Sequence, residues 1–335
     1  MKVLVLGGAG YIGSHAVDQL IEEGFDVIVV DNLETGHKEA IHHKAKFYEG
    51  DCRNIAFMEN VFKNEKVHAV MHFCAYSLVG ESMKKPLKYF NNNMYGMQVL
   101  LETMKKYSID KLIFSSTAAV YGEVEQVPIK EETILQPTNP YGESKLVMEK
   151  MVKWANKAYG LKYIALRYFN VAGAKAGATI GEDHNPETHL IPIILEVALG
   201  KRKEIAIYGN DYPTKDGTCI RDYLHVSDLV DAHIKALKYL NDGGESQSIN
   251  LGSSKGYSVL EIIEAARKVT GHNIPCKVEQ RRAGDPSILI ASTKKAVEKL
   301  NFKPKYTDIE EIIKTAWAFH KKYPEGYNSI NKDAI

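Results

Sequence analysis

Val3-Leu4-Val5-Leu6-Gly7-Gly8-Ala9-Gly10-Tyr11-Ile12-Gly13 opens the first structural unit of the chain. Four apolar residues run without a charge and then meet glycine. A helical pattern follows from Ser14 to about Glu23, closed by Gly24, and Val27–Val30 is a second short apolar run. Short apolar runs bounded by glycine read as strands buried on both faces, so the order is strand, turn, helix, strand. That order is the unit of a parallel sheet clothed by helices. Strand-like runs at Ala69–Phe73, Lys111–Ser115 and Tyr163–Arg167 repeat it, with helical patterns at Gln98–Tyr107 and Lys145–Tyr159. After about Asn170, Pro and Gly become frequent, turn signals gather at Gly209–Gly217, and helical patterns recur at His189–Leu199 and Asp228–Leu240. The expected fold is α/β: a Rossmann-type doubly wound parallel sheet over 1–170, with a smaller C-terminal α/β substrate lobe over 171–335. The boundary is soft, because later strands are free to return to the first sheet.

Gly7, Gly10 and Gly13 stand three apart in the turn. Glycine permits positive φ and close backbone approach to a pyrophosphate, which rests on the N-terminus of the next helix. Gly13 lets that helix pack tightly on its strand. Asp31 ends the second strand, eighteen residues after Gly13, where a carboxylate accepts both adenosine ribose hydroxyls. No arginine lies between Asp31 and Arg53 to receive a 2′-phosphate, which favours NAD over NADP. Tyr11, Ile12 and Asn32 belong to the same expected site.

Composition narrows the partners. Forty-three basic residues against forty-two acidic ones give no global field for nucleic acid or a membrane surface. An anionic ligand is therefore met by a few placed residues. Cys52, Cys74, Cys219 and Cys276 match no metal-ligand spacing, so no metal site is expected, and a reduced, cytoplasmic chain is the simplest reading. No apolar stretch approaches the roughly 18 residues of a membrane span.

The three-residue glycine spacing resembles the short-chain dehydrogenase/reductase superfamily, which also requires a Tyr and a Lys four apart. Pro140-Tyr141-Gly142-Glu143-Ser144-Lys145 meets that requirement. Pro140 suits a helix entry, and Tyr141 and Lys145 at i and i+4 then share a face. Bringing a phenol from a pKa near 10 to near 7 takes about 4 kcal/mol of selective phenolate stabilisation. A lysine ammonium and the positive nicotinamide ring are the expected sources. Thr117, at the end of the strand Leu112–Ser115, supplies the third hydroxyl.

The resemblance then narrows. Gly7–His15, Asp31-Asn32-Leu33, Val79-Gly80-Glu81-Ser82, Phe114–Gly122, Asn139–Lys145, Arg167-Tyr168-Phe169-Asn170, Tyr208–Tyr212 and Arg221-Asp222-Tyr223 resemble the UDP-galactose 4-epimerase family, to about Pro324. The resemblance implies C4 epimerisation of UDP-hexoses by hydride transfer to NAD and back, through a 4-ketose, in a homodimer. Its implied roles are residue by residue. Tyr141 exchanges the 4-hydroxyl proton, with Thr117 as shuttle and Lys145 on the nicotinamide ribose. Asp51 meets the adenine, and Cys52, Phe73, Cys74, Asn92, Ser115 and Tyr168 complete the cofactor set. Asn170 and Leu190 contact the nucleotide sugar, Tyr208 the uracil, Arg221 and Arg282 the diphosphate, and Asp285 the uridine ribose. Phe169, His189 and Tyr223 complete the substrate set, and Leu289 lines the sugar pocket. The family's dimers pair helices corresponding to Asn92–Tyr107 and Ser144–Tyr159.

Three positions depart from the family pattern. Ser77 replaces a lysine that in some members holds the cofactor phosphates. Thr117 stands for the usual serine. Leu289 replaces a bulkier aromatic of some members, and the room it leaves is expected to admit N-acetylated UDP-hexoses. A sugar-nucleotide 4,6-dehydratase needs an Asp-Glu pair beside the hydroxyl, where this chain has Ala118-Ala119. A UDP-glucuronate epimerase and a non-catalytic NAD- and UDP-sugar-binding protein remain the other readings. The latter typically lacks the Tyr or the Lys.

Overall fold

A computed structural model describes residues 1–282 and 285–330. In chain order the strands are β1 Lys2–Leu6, β2 Asp26–Asp31, β3 Lys46–Glu49, β4 Ala69–His72, β5 Lys111–Thr117, β6 Lys162–Tyr168, β7 Asn170–Ala172, β8 Ile205–Tyr208, β9 Ile220–His225, β10 Gln247–Leu251, β11 Gly256–Ser258, β12 Cys276–Glu279 and β13 Ile288–Leu289. A seven-stranded parallel sheet runs β10-β6-β5-β4-β1-β2-β3.

The apolar runs are unbroken because both faces of the sheet are covered. Successive side chains of a strand point to opposite sides. Val3, Val5, Val27 and Val29 pack with Ala16, Val17 and Leu20 of helix Tyr11–Glu22 and Leu229 to Leu240 of helix Val226–Asn241. Leu4, Leu6, Ile28 and Val30 pack on the other side, with Met58 and Val61, Met97 and Leu100, and Met148 and Val152 from three further helices. The layers are helix, sheet, helix, as a doubly wound fold requires.

Several elements extend past their apolar signal. Helix Tyr11–Glu22 starts three residues before Ser14, because the glycine turn feeds directly into it with Gly10 as N-cap. Strand β5 runs on to Thr117, where Ser115, Ser116 and Thr117 pair with Leu166, Arg167 and Tyr168 of β6. Their polar side chains hide a buried strand end. The pattern at Gln98–Tyr107 belongs to a longer helical run: Pro86–Tyr89, a π-helical turn Phe90–Tyr95, then Gly96–Lys106. π-Turns of this kind gather at functional sites, and this one presents Asn92.

Beyond Tyr168 the chain builds a second, smaller structure. Strands β11, β9 and β13 form a sheet with β7 beside β9, while β8 pairs β12. Helices Leu190–Ala198, Val259–Thr270 and Ile309–Lys322 share a core of Ile191, Ile194, Ile262, Ile263 and Ile312. Residues 226–251 return to the first sheet, where β10 forms its edge beside β6. Among the described residues no helix is long and apolar enough to cross a membrane.

Strand order reverses about β1, between β2 and β4. The carboxyl ends of β1, β2, β4, β5 and β6 open on one crevice, the place where such sheets bind ligands.

Candidate active site

Gly7 follows β1 with φ 78°, and a Cβ there would stand 2.6 Å from the Cys74 backbone nitrogen. A Cβ at Gly13 would overlap the Gly7 carbonyl oxygen. Folding alone requires glycine at both positions. Gly10 differs. Its φ is −79°, and a Cβ would meet only the Gly7 oxygen, at an ordinary 3.5 Å. Its bareness clears space in front of helix Tyr11–Glu22, whose start has no side-chain cap and no acidic residue. Open N–H groups and the positive end of a helix dipole suit an anion, and the residues fit a dinucleotide pyrophosphate. Gly13→Ala is therefore expected to cost about 3 kcal/mol or more of stability. Gly10→Ala is expected to fold within about 1 kcal/mol of the unaltered chain yet to lose bound NAD on gel filtration. Undiminished NAD in Gly10→Ala would contradict this division.

One cleft is lined by Gly7, Gly10, Asp31, Asn32, Asp51, Cys52, Phe73, Cys74 and Asn92, all expected from sequence. Asp31 accepts the N–H groups of Ala9 at 3.0 Å and Leu33 at 2.9 Å. Burial raises its pKa, and those N–H bonds oppose the rise. Asp51 is held by Arg53, whose Nε lies 3.0 and 3.1 Å from the two oxygens, so its carboxyl sits below the usual range. The same carboxylate lines the cleft and keeps acceptor sites beyond those that Arg53 uses. Tyr11 and Ile12 turn away from the cleft: the Tyr11 phenol donates to the Gly173 carbonyl at 2.6 Å, and Ile12 packs on the core. Only their backbone is left to serve the turn. Cys74 is half-buried in the cleft, its sulfur 3.7 Å from that of Cys52. The cleft also contains Glu34, Thr35 and Tyr76, which sequence reading missed. The Tyr76 phenol donates to Glu34 at 2.6 Å and joins the loops after β2 and β4. Their place just past strands flanking the switch point was the available signal.

Helix Pro140–Tyr159 carries the Tyr–Lys pair. Asn139 caps it, accepting the Gly142 N–H at 2.9 Å, with Pro140 at the first position. A Cβ at Gly142 would stand 2.5 Å from the Ala119 oxygen, so only glycine lets this helix approach the end of β5. That approach sets the Tyr141 phenol beside the Thr117 hydroxyl, which opposes the rise of its pKa. Asn93 fixes the helix from behind, donating to Ser144 at 2.9 Å and accepting the Tyr76 N–H at 2.9 Å. Lys145 is buried and donates to the Ser115 carbonyl at 2.9 Å. The Ser115 hydroxyl lies 3.1 Å from His233.

The electrostatics differ from the expectation in one respect. Burial raises the Tyr141 phenol, with the Thr117 hydroxyl opposing, and burial pulls the Lys145 ammonium down to about 8, with Cys74 and Glu149 opposing. Desolvation dominates at Lys145 because it is buried with Nζ turned to the Ser115 carbonyl, whereas Tyr141 is half-buried.

A second pocket holds Asn170, His189, Leu190, Tyr208, Arg221, Tyr223, Arg282 and Asp285 together. Arg221 is ion-paired with Asp285, and the Arg282 guanidinium lies 3.9 Å from the Tyr208 ring centroid. The two arginines are thus gathered, one covering an aromatic face. Phe169 and Leu289 lie outside this pocket and pack against the cluster of Ala118, Val120, Tyr121, Ile129 and Leu146 that follows Thr117. Leu289 is also in register with Arg221 across β13 and β9. His72 and His225 are buried, as their apolar runs suggest. His189 presents Nδ1 to Glu182 and Glu187, beside His184. That cluster was missed, although Glu-x-His-x-x-Glu-x-His at 182–189 was its signal.

Comparison with known proteins agrees with this geometry. The family model described as NAD dependent epimerase/dehydratase family matches residues 3–252. A UDP-glucose 4-epimerase of Lacticaseibacillus casei is 60% identical over 331 residues, covering 99% of this chain and 100% of the relative. A crystal structure of a UDP-glucose 4-epimerase superposes with a TM-score of 0.96 at 58% identity, covering 98% of this chain and 99% of that one. The Bifidobacterium longum UDP-glucose 4-epimerase, solved with NAD+ and UDP, gives 0.93 at 40% identity over 97% of this chain and 100% of that one. The turn, the Tyr–Lys helix and the full-length match converge: this chain belongs to the NAD-dependent epimerase/dehydratase family, among its UDP-glucose 4-epimerases.

Proposed function

We propose that this enzyme inverts C4 of UDP-hexoses with Tyr141 as the proton-transfer group and NAD as a retained hydride carrier. The observation that carries the reading is the Tyr141–Thr117 hydroxyl pair, with Lys145 buried behind it. NAD bound in the cleft accepts a hydride from C4 and returns it. The chain does the rest. Gly7, Gly10 and Gly13 admit the pyrophosphate, Asp31 takes the adenosine ribose, and Lys145 holds the nicotinamide ribose. Tyr141 receives the 4-hydroxyl proton, directly or through Thr117, and gives it back after the 4-ketose has turned. Arg221 and Arg282 grip the diphosphate with forked donors, Tyr208 faces the uracil, Asp285 takes the uridine ribose, and Asn170 and Leu190 border the sugar. Diphosphate binding breaks the Arg221–Asp285 pair and frees both groups for the nucleotide. A tight grip on the UDP keeps the ketose in place while the sugar rotates.

Residues 1–170, with 226–251, serve the cofactor, and the remaining lobe serves the UDP-sugar; the end of that lobe, 331–335, lies outside the described residues. The residues beside Thr117 are Ala118 and Ala119, which provide no acid or base for a 4,6-dehydration. We place the enzyme in the cytoplasm, with its cysteines reduced. It is proposed to work as a homodimer through helices Gly96–Lys106 and Pro140–Tyr159. Leu146, Met148, Val152 and Ala155 are buried within the chain, whereas Trp154 is 67% exposed and available to a mate. Light scattering at twice the 37.5 kDa chain mass is the expected result, and a monomer at micromolar concentration would refute it.

Leu289 sets the sugar size. Incubation with UDP-glucose and UDP-GlcNAc, followed by NMR of C4, is expected to show inversion of both. Leu289→Tyr is expected to lose acetylated turnover by about tenfold or more while keeping UDP-glucose, since one filled pocket is worth about 1–3 kcal/mol. No inversion of UDP-glucose would overturn the function. No acetylated turnover would overturn only the role of Leu289.

A further inference from the structure

Glu182, His184, Glu187 and His189 converge at the end of the segment that leads into helix Leu190–Ala198. One ligand atom from each lies within 4.8 Å of all the others. Glu182 Oε1 is 3.2 Å from His184 Nδ1 and 2.9 Å from His189 Nδ1. Glu187 offers Oε2 at 3.7 Å to His184 and Oε1 at 3.1 Å to His189. Zinc–ligand bonds of about 2.0–2.1 Å place tetrahedral ligands about 3.3–3.4 Å apart, within the 2.9–3.7 Å of these four His–Glu pairs. His184 Nδ1 is shut off from solvent and makes no hydrogen bond, although a carboxylate oxygen is 3.2 Å away.

From this arrangement we infer a structural divalent-metal site of zinc type, with Glu182, His184, Glu187 and His189 as its four ligands. Two carboxylates and two neutral imidazoles carry a charge of minus two, which one divalent cation neutralises. Imidazole nitrogen with carboxylate oxygen in a compact four-atom set favours zinc over the larger, oxygen-seeking calcium. Four protein ligands leave no open position, so the ion holds structure and does not meet substrate.

Its place in the fold says what it holds. Asp183 accepts a hydrogen bond from His37 at 2.9 Å through its carbonyl, which ties the loop to the segment after β2. Tyr11 of the glycine turn stands edge-on to His184, with ring centroids 6.1 Å apart. On the other side, His189 and Leu190 border the nucleotide pocket. A metal would staple the cofactor side to the helix that begins the substrate pocket. The site is separate from Tyr141, Lys145 and Thr117 and stands whether or not their roles do.

The test uses the full chain, stripped with chelator and titrated with Co2+ and Zn2+. The expected result is the visible spectrum of four-coordinate cobalt, saturating at about one ion per chain, without a thiolate charge-transfer band. Zn2+ is expected to displace the cobalt and to raise the unfolding midpoint. His184→Ala and Glu182→Gln are expected to abolish both responses. No retained ion and no midpoint shift in the unaltered chain would overturn the proposal, as would undiminished binding by both variants. A thiolate band would move the metal to the cysteines and equally overturn it. Should a variant fail to fold, the cobalt spectrum and stoichiometry of the unaltered chain still decide whether a four-coordinate site without thiolate exists.

Discussion

Tyr141→Phe is expected to bind UDP-glucose as the unaltered chain does and to turn it over about 10²–10⁴-fold more slowly, the usual worth of a positioned proton-transfer group. Phenylalanine keeps the ring and its packing on the helix, so the loss is confined to the hydroxyl. Thr117 remains, but an aliphatic hydroxyl has no accessible anionic form near neutral pH, so it relays a proton without storing one. The pattern that identifies chemistry rather than binding is a fall in kcat with KM little changed. Steady-state assays with both UDP-hexoses read it directly. Full activity in the variant would remove Tyr141 from the mechanism and leave the buried Lys145 without a purpose.

The largest effect on stability is expected away from the cleft. Glu149, on the Tyr–Lys helix, pairs with Arg167 of β6 through two bonds, at 2.6 and 2.9 Å, inside the protein. Ser116 and Ser248 donate to the same carboxylate at 2.5 and 3.2 Å, and Arg167 also donates to the Tyr121 phenol at 2.9 Å. Such a network contributes little net stability while intact, but removing one charge strands the other. Glu149→Ala is expected to cost about 3–5 kcal/mol, read from urea unfolding. The double change of Glu149→Leu and Arg167→Met is expected to recover much of that loss, because it strands no charge. A loss under about 1 kcal/mol for the single variant would mean that Arg167 finds water or another partner. This network anchors the helix that aims Tyr141, so activity and stability are expected to fall together here, unlike in Tyr141→Phe.

These two residues also mark how much was legible in the sequence. Tyr141 and Lys145 were readable because helical spacing of four is a local property and Pro140 marks the entry. The sheet was readable because strands buried on both faces leave unbroken apolar runs, as in Val3–Leu6. Glu149–Arg167 was not, since no local period reveals a pairing between a helix and a later strand. The same holds for Arg221 with Asp285, 64 positions apart, and for Tyr76 with Glu34, 42 apart. The polar end of β5 was hidden for another reason: Ser115 to Thr117 are buried by their hydrogen bonds rather than by hydrophobicity. Sequence alone also set Lys145 beside Tyr141 as a charge. The burial of Lys145 against the Ser115 carbonyl is a property of the fold that helical spacing does not reveal.

The glycine turn carries the central claim, that the hydride leaves C4 and returns from a cofactor that stays bound. Ser77 brings no positive charge to the cofactor side, which makes retention a demanding test for Gly10 and the helix behind it. The most direct measurement incubates the protein as purified with UDP-glucose in D2O, without added NAD, and follows C4 by NMR. Formation of UDP-galactose with protium kept at C4 is the expected result. Deuterium at C4, or no epimerisation until NAD is supplied, would contradict it.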